Sequence, residues 1–199
     1  MNLLFTLLAL AMTWGFDDGK AGKPPTGFEF GAAEEGATGK WILREEPGTK
    51  GLVLSQEDET DDRYTVAVAK GTAFKDVRLR AKIKTRAGGY QAAGVVWRLK
   101  DPNNYYVARI NPDEENINLY MFKGGKRHKL AGVSSKVLKP ATWHTLLVEQ
   151  KGPAIVVKVD GKTIIEHKDE TFATPGKVGL WVKDDTVARF DDFQVEALK

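Results

Sequence analysis

The chain of 199 residues contains no cysteine, which excludes disulfide cross-links, thiolate catalysis and zinc–thiolate sites. A domain of this length buries enough core to fold without such staples, so the absence does not argue against export. Histidine is nearly as scarce: His128, His144 and His167 are the only imidazoles. They are too dispersed to suggest a metal motif, and His144 alternates with Leu146 and Val148 as a satisfied core histidine would. No segment shows a sustained 3.6-residue apolar period, so helices are not expected, and no glycine-rich phosphate loop meets a helix start. Charge of one sign is also lacking, because 30 Lys and Arg against 27 Asp and Glu leave only +3, too little to indicate nucleic acid as a partner.

Long hydrophobic runs are missing as well. The apolar stretch from Leu3 to Ala11 is too short to span a bilayer, so no transmembrane segment is expected. It ends in Ala9-Leu10-Ala11, the small-x-small pattern of a signal-peptide cleavage site, although no Lys or Arg precedes it. The expectation is a signal peptide over residues 1–15, cut near Ala11 or Gly15, and a secreted or periplasmic protein. The competing reading of the same residues is a buried N-terminal strand.

What is present is period-two alternation. Hydrophobic content of 42% with 29% charge is ordinary for a globular chain. Val77 to Lys84 alternates without a break, and Tyr90–Leu99, Tyr105–Ile110, Asn116–Phe122 and Thr142–Gln150 are further strand candidates. Ile155–Val159, Thr163–His167, Lys177–Lys183 and Val187–Ala197 complete the set. Turn residues separate them, and Asp160-Gly161 is the strongest hairpin signal, since a type I′ turn needs positive φ at both positions. Many short strands, no repeat and no linker predict one all-β domain over residues 16–199, a two-sheet antiparallel jelly-roll sandwich. It is expected to be a monomer.

Hairpin register then assigns faces. With a turn at Lys100 to Asn103, Trp97 opposes Tyr106, Val95 opposes Ala108 and Ala93 opposes Ile110. The next turn places Ile110 opposite Ile117, Arg109 opposite Asn118 and Val107 opposite Tyr120. One face is therefore apolar and predicted to be core: Trp97, Leu99, Tyr106, Ala108, Ile110, Ile117, Leu119 and Met121. The other carries Arg98, Tyr105, Arg109, Asn118 and Tyr120, with Gly94 beside Arg109. Guanidinium forks bind carboxylates and hydroxyls in pairs and aromatic rings stack on sugars, so this face is the candidate ligand surface; the bland reading is a solvated face. If Ala87-Gly88-Gly89 closes a hairpin, Arg78, Arg80, Lys82, Lys84 and Arg86 join that face and favour acidic glycans. Otherwise they keep an exposed strand soluble.

Catalytic patterns are thin. Retaining glycosidases place two carboxyls about 5–5.5 Å apart, and the jelly-roll glucanase run Glu-x-Asp-x-x-Glu is absent. No cofactor is called for. Calcium has two candidate oxygen-rich stretches, Gln56 to Asp62 and the acids Asp191-Asp192 with Asp17-Asp18; a solvated loop competes for the first and a structural hydrogen-bonding role for the second.

Several stretches together resemble the 3-keto-disaccharide hydrolase-like domains of the concanavalin A-like lectin/glucanase superfamily, common in exported bacterial proteins. They are Ala93-Gly94-Val95-Val96-Trp97-Arg98, Asn104-Tyr105-Tyr106-Val107-Ala108-Arg109, Asn118-Leu119-Tyr120, Trp143-His144-Thr145-Leu146, Asp160-Gly161-Lys162, Gly176-Lys177-Val178-Gly179-Leu180-Trp181 and Phe190-Asp191-Asp192-Phe193. The likeness spans Phe16 to Leu198. Members of that family tend to read Gly-Leu-Gln-x-His and then Phe-Arg-Asn near the C-terminus. Here the matching positions are Gly179-Leu180-Trp181-Val182-Lys183 and Phe190-Asp191-Asp192, so the histidine and the Arg-Asn pair are missing. The resemblance adds Trp181, Lys183 and Asp185 to the candidate groove. The reading is an exported, non-catalytic glycan-binding module for neutral or acidic glycans; a hydrolase or lyase of 3-keto-glycosides and a structural domain of the cell envelope are the alternatives.

Overall fold

The structure, a computed structural model, describes residues 11–33, 37–60, 64–183 and 185–199. The apolar run before Ala11 and the acids Asp61 and Asp62 lie outside the described residues. Among those described there is no helix, and two antiparallel sheets pack face to face, as the alternation predicts.

One sheet runs β13 (Lys162–Lys168), β12 (Ala154–Val159), β11 (His144–Lys151), β6 (Val77–Thr85), β15 (Ala188–Ala197), β4 (Leu52–Gln56) and β3 (Trp41–Glu45). The short β1 (Ala11–Trp14) pairs with the C-terminal half of β15, beyond the point where β4 leaves it. The second sheet runs β10 (Lys126–Ser134), β9 (Asn116–Lys123), β8 (Asn104–Asn111), β7 (Ala93–Asp101), β14 (Lys177–Lys183), β5 (Tyr64–Ala69) and β2 (Phe28–Ala32). Between them lies the core, filled by alternate side chains: Val77, Leu79, Ala81 and Ile83 from β6 meet Trp97, Tyr106, Ala108, Ile110 and Leu119. Each fully buried aliphatic side chain contributes about 1.5–3 kcal/mol, and this layer holds the sheets together.

Hairpin positions follow the residues that make them. Asp160-Gly161 joins β12 to β13 with φ of 49° and 79°, the positive pair that Asp-Gly adopts readily. Ala87-Gly88-Gly89, by contrast, does not close a hairpin. β6 pairs with β11 and β15, whereas β7 pairs with β8 and β14, so this connection crosses from one sheet to the other.

That crossing corrects the expected basic face. Arg78, Arg80, Lys82 and Lys84 line the outer face of the eight-stranded sheet, across the sandwich from Arg109. Most of this row is neutralised there. Arg78 sits directly opposite Glu149 and Glu196 on its two neighbouring strands and bonds them at 2.6 and 2.7 Å. Lys82 meets Asp192 at 2.6 Å, Lys84 meets Glu46 at 2.7 Å and Arg86 meets Glu59 at 2.6 Å. Register sets Arg78 between two acids, and the acids that meet Lys84 and Arg86 come from the loops beyond β3 and β4.

A second correction concerns β7. Its ladder slips between Trp97 and Asp101, and Arg98 has φ of +46°, the signature of a β-bulge. One extra residue inverts the alternation beyond it. Leu99 therefore belongs to the outer-face cluster with Tyr105 and Val107, while Arg98 turns towards the end of the sandwich. The tight turn is Pro102-Asn103, with Asp101 opposite Asn104.

Two outcomes follow. Partial burial alone would raise the carboxyl pKa of Glu149, but hydrogen bonds from Arg78 and Lys158 outweigh it and hold that pKa below its ordinary value. Glu57 is lowered in the same way, with Arg44 and Ser55 overcoming its burial. A carboxyl lowered in the folded state stabilises the fold above its unfolded pKa and ceases to as the pH falls through the folded one. Denaturant midpoints should therefore be flat near neutrality and fall as the pH drops below about 4.5, the ordinary Glu value; a midpoint unchanged down to pH 3 would contradict this. Trp14 of β1 stacks on Phe193 with centroids 5.2 Å apart and meets Phe28 edge-on at 5.6 Å. Trp14→Ala should cost about 2 kcal/mol, below the range for a fully buried Trp, measured by urea unfolding.

Candidate functional site

The outer face of the seven-stranded sheet is layered. Strand register places Gly94, Arg109 and Asn118 in one row, Val96, Val107 and Tyr120 in the next, and Tyr105 beside Phe122 in a third. Trp181 on β14 pairs with Gly94 on one side and Val66 on the other. A Cβ at Gly94 would stand 2.0 Å from the Ala108 carbonyl oxygen, so the backbone strands approach there as only glycine permits.

The aromatic side chains of this face form a packed floor. Tyr105 stacks on Phe122 at 4.6 Å, Tyr64 stacks on Trp181 at 5.9 Å, and Tyr64 meets Phe122 edge-on at 4.9 Å. The Trp181 indole N–H donates to the Tyr105 hydroxyl at 3.1 Å. Both rings are fully buried, and burial pushes the Tyr105 phenol far above its ordinary pKa. Tyr105 and Trp181 are thus floor beneath the site, with no free ring surface to stack on a ligand.

A polar network lies at one end of the floor. Arg109 donates to Asn116 Oδ1 at 2.5 Å, to Glu114 Oε2 at 2.9 Å and to the Tyr120 hydroxyl at 3.4 Å. Asn118 Nδ2 donates to the same Asn116 Oδ1 at 2.8 Å, and Asn116 Nδ2 returns to Glu114 Oε2 at 3.1 Å. Burial would raise the Glu114 pKa, but the Asn116 hydrogen bond and the charges of Arg109 and Lys183 hold it below its ordinary value, so it is ionised at neutral pH. Arg109 and Asn118 are each only 3% exposed. Even so, Arg109 Nε and Asn118 Oδ1 have no hydrogen-bond partner.

Cations and the exposed Tyr90 form the rim. Arg127 on β10 lies 4.9 Å from the Tyr120 ring centroid and 5.4 Å from that of Tyr64. Lys183 Nζ sits 4.2 Å above the Tyr90 ring, which is 42% exposed. Asp185 Oδ1 accepts the Tyr90 backbone N–H at 3.0 Å, fixing the approach to β7.

Of the residues singled out from the sequence, Arg109, Asn118, Tyr120, Lys183 and Asp185 therefore gather around one face, with Tyr105 and Trp181 below it. Arg98 does not join them. The bulge sends its guanidinium to the end of the sandwich, where it is 1% exposed and donates to the carbonyls of Phe172, Lys75 and Gly152 at 2.7, 2.8 and 2.9 Å. Asp76 stands 3.4 Å away. This Arg98 is a clamp on three loops.

Glu114, Asn116, Tyr64, Tyr90 and Arg127 went unread in the sequence. Asn116 could have been found, since it precedes Asn118 by two and shares its face. Arg127 could not. Its strand is broken by a bulge between Lys129 and Ala131, and Lys126-Arg127-His128-Lys129 shows no alternation.

The acids considered for calcium are engaged differently. Asp17 Oδ1 accepts the Leu52 N–H at 2.9 Å, and Asp192 pairs with Lys82. Burial raises the Asp191 pKa, with the charges of Asp192 and Asp17 adding to it. In the other stretch, Asp58 accepts from Thr60 and Gln56 bonds to backbone. Among the described residues no group of three or more His, Asp or Glu is arranged to hold a metal ion.

Removing the Arg98 side chain would take that donor from the Phe172 and Lys75 carbonyls, while Gly152 keeps Gln150. Arg98→Ala should cost about 3–5 kcal/mol, as breaking a buried charge network does, read from chemical denaturation. A loss under about 1 kcal/mol would mean the clamp carries little.

Comparison with known proteins agrees with this architecture. A carbohydrate-binding module, CBM66 from Bacillus subtilis, superposes with a TM-score of 0.68 at 19% identity, over 84% of this chain and 95% of that one. A Bacillus subtilis protein of unknown function with a galectin-like fold gives 0.59 at 13% identity, over 84% and 89%. The Ca2+-bound exoplasmic/lumenal domain of VIP36 gives 0.62 at 11% identity, over 95% and 90%. At these identities the likeness establishes the fold. No match was found among curated protein sequences. The family model for the 3-keto-alpha-glucoside-1,2-lyase-like domain matches residues 16–196, nearly the whole described chain, and the protein belongs to that family.

Proposed function

We propose that this protein is an exported, monomeric glycan-binding domain, and that the saccharide sits on the outer face of the seven-stranded sheet at its Arg109 end. The observation that carries this reading is the network of Arg109, Asn116, Asn118 and Glu114 set beside Tyr120 and the exposed Tyr90. Planar donors and acceptors next to aromatic rings are what sugar hydroxyls and ring faces require. The fold shared with a carbohydrate-binding module and with an exoplasmic/lumenal domain supports the same reading.

Arg109 is the residue to test. Hydrogen bonds to charged groups contribute about 1.5–3 kcal/mol each, so Arg109→Ala should weaken glycan binding at least tenfold on a glycan array followed by calorimetry. Failure of the unaltered protein to bind any glycan would sink the proposal.

The family match favours a second reading, the processing of 3-keto-glycosides. Elimination next to a ketone needs a base to remove the α-proton, and Glu114 is an ionised carboxylate on this face with Arg109 beside it. Turnover of a 3-keto-glucoside by the pure protein, lost in Glu114→Gln, would favour catalysis over binding alone.

A further inference from the structure

Resting on the glycan-binding reading, we infer that this face selects an anionic saccharide, with Arg127 taking the acid group while Arg109 Nε and Asn118 Oδ1 share one neighbouring hydroxyl. Three observations carry it.

The first is a matched pair of unused hydrogen-bonding atoms. Arg109 and Asn118 are directly opposite each other on β8 and β9, and both spend other atoms on the same acceptor, Asn116 Oδ1. What remains is one donor, Arg109 Nε, and one acceptor, Asn118 Oδ1, both buried and unpartnered. Leaving a buried donor and acceptor unpaired is unfavourable, so a ligand that pairs them gains affinity. A hydroxyl is the group that accepts one bond and donates another at once.

The second is the cover over that pair. The bulge after Lys129 brings Gly132 opposite Asn118 on the exposed edge strand. A Cβ at Gly132 would stand 1.9 Å from Asn118 Oδ1 and 2.7 Å from Lys129 Cε. Only glycine fits against the amide there, and the exposed Lys129 side chain lies beside it.

The third is the state of the cations. On the opposite sheet Arg78, Lys82, Lys84 and Arg86 each hold a carboxylate, so most of that row's charge is spent within the protein. Arg127 differs. It contacts the rings of Tyr64 and Tyr120, and among the described residues no carboxylate bonds to it or to Lys129. Its guanidinium lies over two aromatic rings and, among the described residues, spends no N–H on a carboxylate, which suits a carboxylate or a sulfate ester.

The test is calorimetric titration with four probes: a galacturonic acid tetrasaccharide, its fully methyl-esterified form, a sulfated disaccharide and inorganic sulfate. The free acid should bind at least tenfold tighter than the ester and weaken as salt rises. Arg127→Gln, an exposed substitution, should abolish that difference, bringing acid and ester affinities within about twofold of each other. Asn118→Ala should weaken acid and ester alike by fivefold or more. Gly132→Ala, which sets a methyl group against Asn118 Oδ1, tests the same contact should Asn118→Ala fail to fold. Tighter binding of the sulfated sugar than of the uronate supports the inference and assigns the acid as sulfate. Equal binding of acid and ester overturns it while leaving glycan binding intact, as does tenfold selection that survives in Arg127→Gln. Inorganic sulfate binding as tightly as either acidic sugar overturns it too, since charge alone would then account for the affinity. No saccharide binding at all overturns both readings.

Discussion

The molecule's division into a structural end and a candidate binding end depends on one backbone feature, the β-bulge at Arg98. Strand alternation would place this arginine beside Tyr105 on the outer face. The positive φ at Arg98 inverts the alternation, moves Leu99 onto that face and delivers a buried guanidinium to three loop carbonyls. Desolvating that charge is costly and lowers its pKa, yet its polar partners tie three loops together at the end of the sandwich. Nearby, Trp97 donates to Gln150 at 2.5 Å and Tyr106 bonds Asp169, with the Tyr106 phenol pushed up to about 12, mainly by burial. The polar residues at this end are satisfied by each other.

The two outer faces have opposite electrostatic characters, although both carry arginines. On the eight-stranded sheet most of the cations meet acids from neighbouring strands and loops, and those charges cancel within the protein. On the seven-stranded sheet the face is an aromatic floor with a small polar cluster at one end, where Arg109 is partnered and Arg127 rests on rings. Overall charge is nearly balanced, so a charge count says nothing about where an anion could dock. Strand pairing decides it.

Much of the fold could be read directly from the residues. Unbroken alternation from Val77 to Lys84 and the Asp160-Gly161 turn predicted strands and a hairpin that the structure contains. The pairs Trp97–Tyr106, Val95–Ala108 and Arg109–Asn118 were legible because both hairpins keep a regular register over those residues. What could not be read were bulges such as those at Arg98 and after Lys129, because a single inserted residue leaves no compositional mark. The sheet change at Gly88-Gly89 was equally hidden, since glycines that permit a hairpin also permit a crossing. Trp181 shows a third limit. The family resemblance put it on the correct face, but only packing against Tyr64 and the Tyr105 hydroxyl decides that its ring is floor and not platform.

The central claim is that ligand meets the outer face of the seven-stranded sheet around Arg109, Asn118 and Tyr120. The most direct measurement is backbone amide NMR during titration with an acidic oligosaccharide. Shifts confined to Arg109, Asn116, Asn118, Tyr120, Arg127 and Gly132 are the expected result. Shifts centred instead on Lys82, Trp143 and Asp192, across the sandwich, would contradict it.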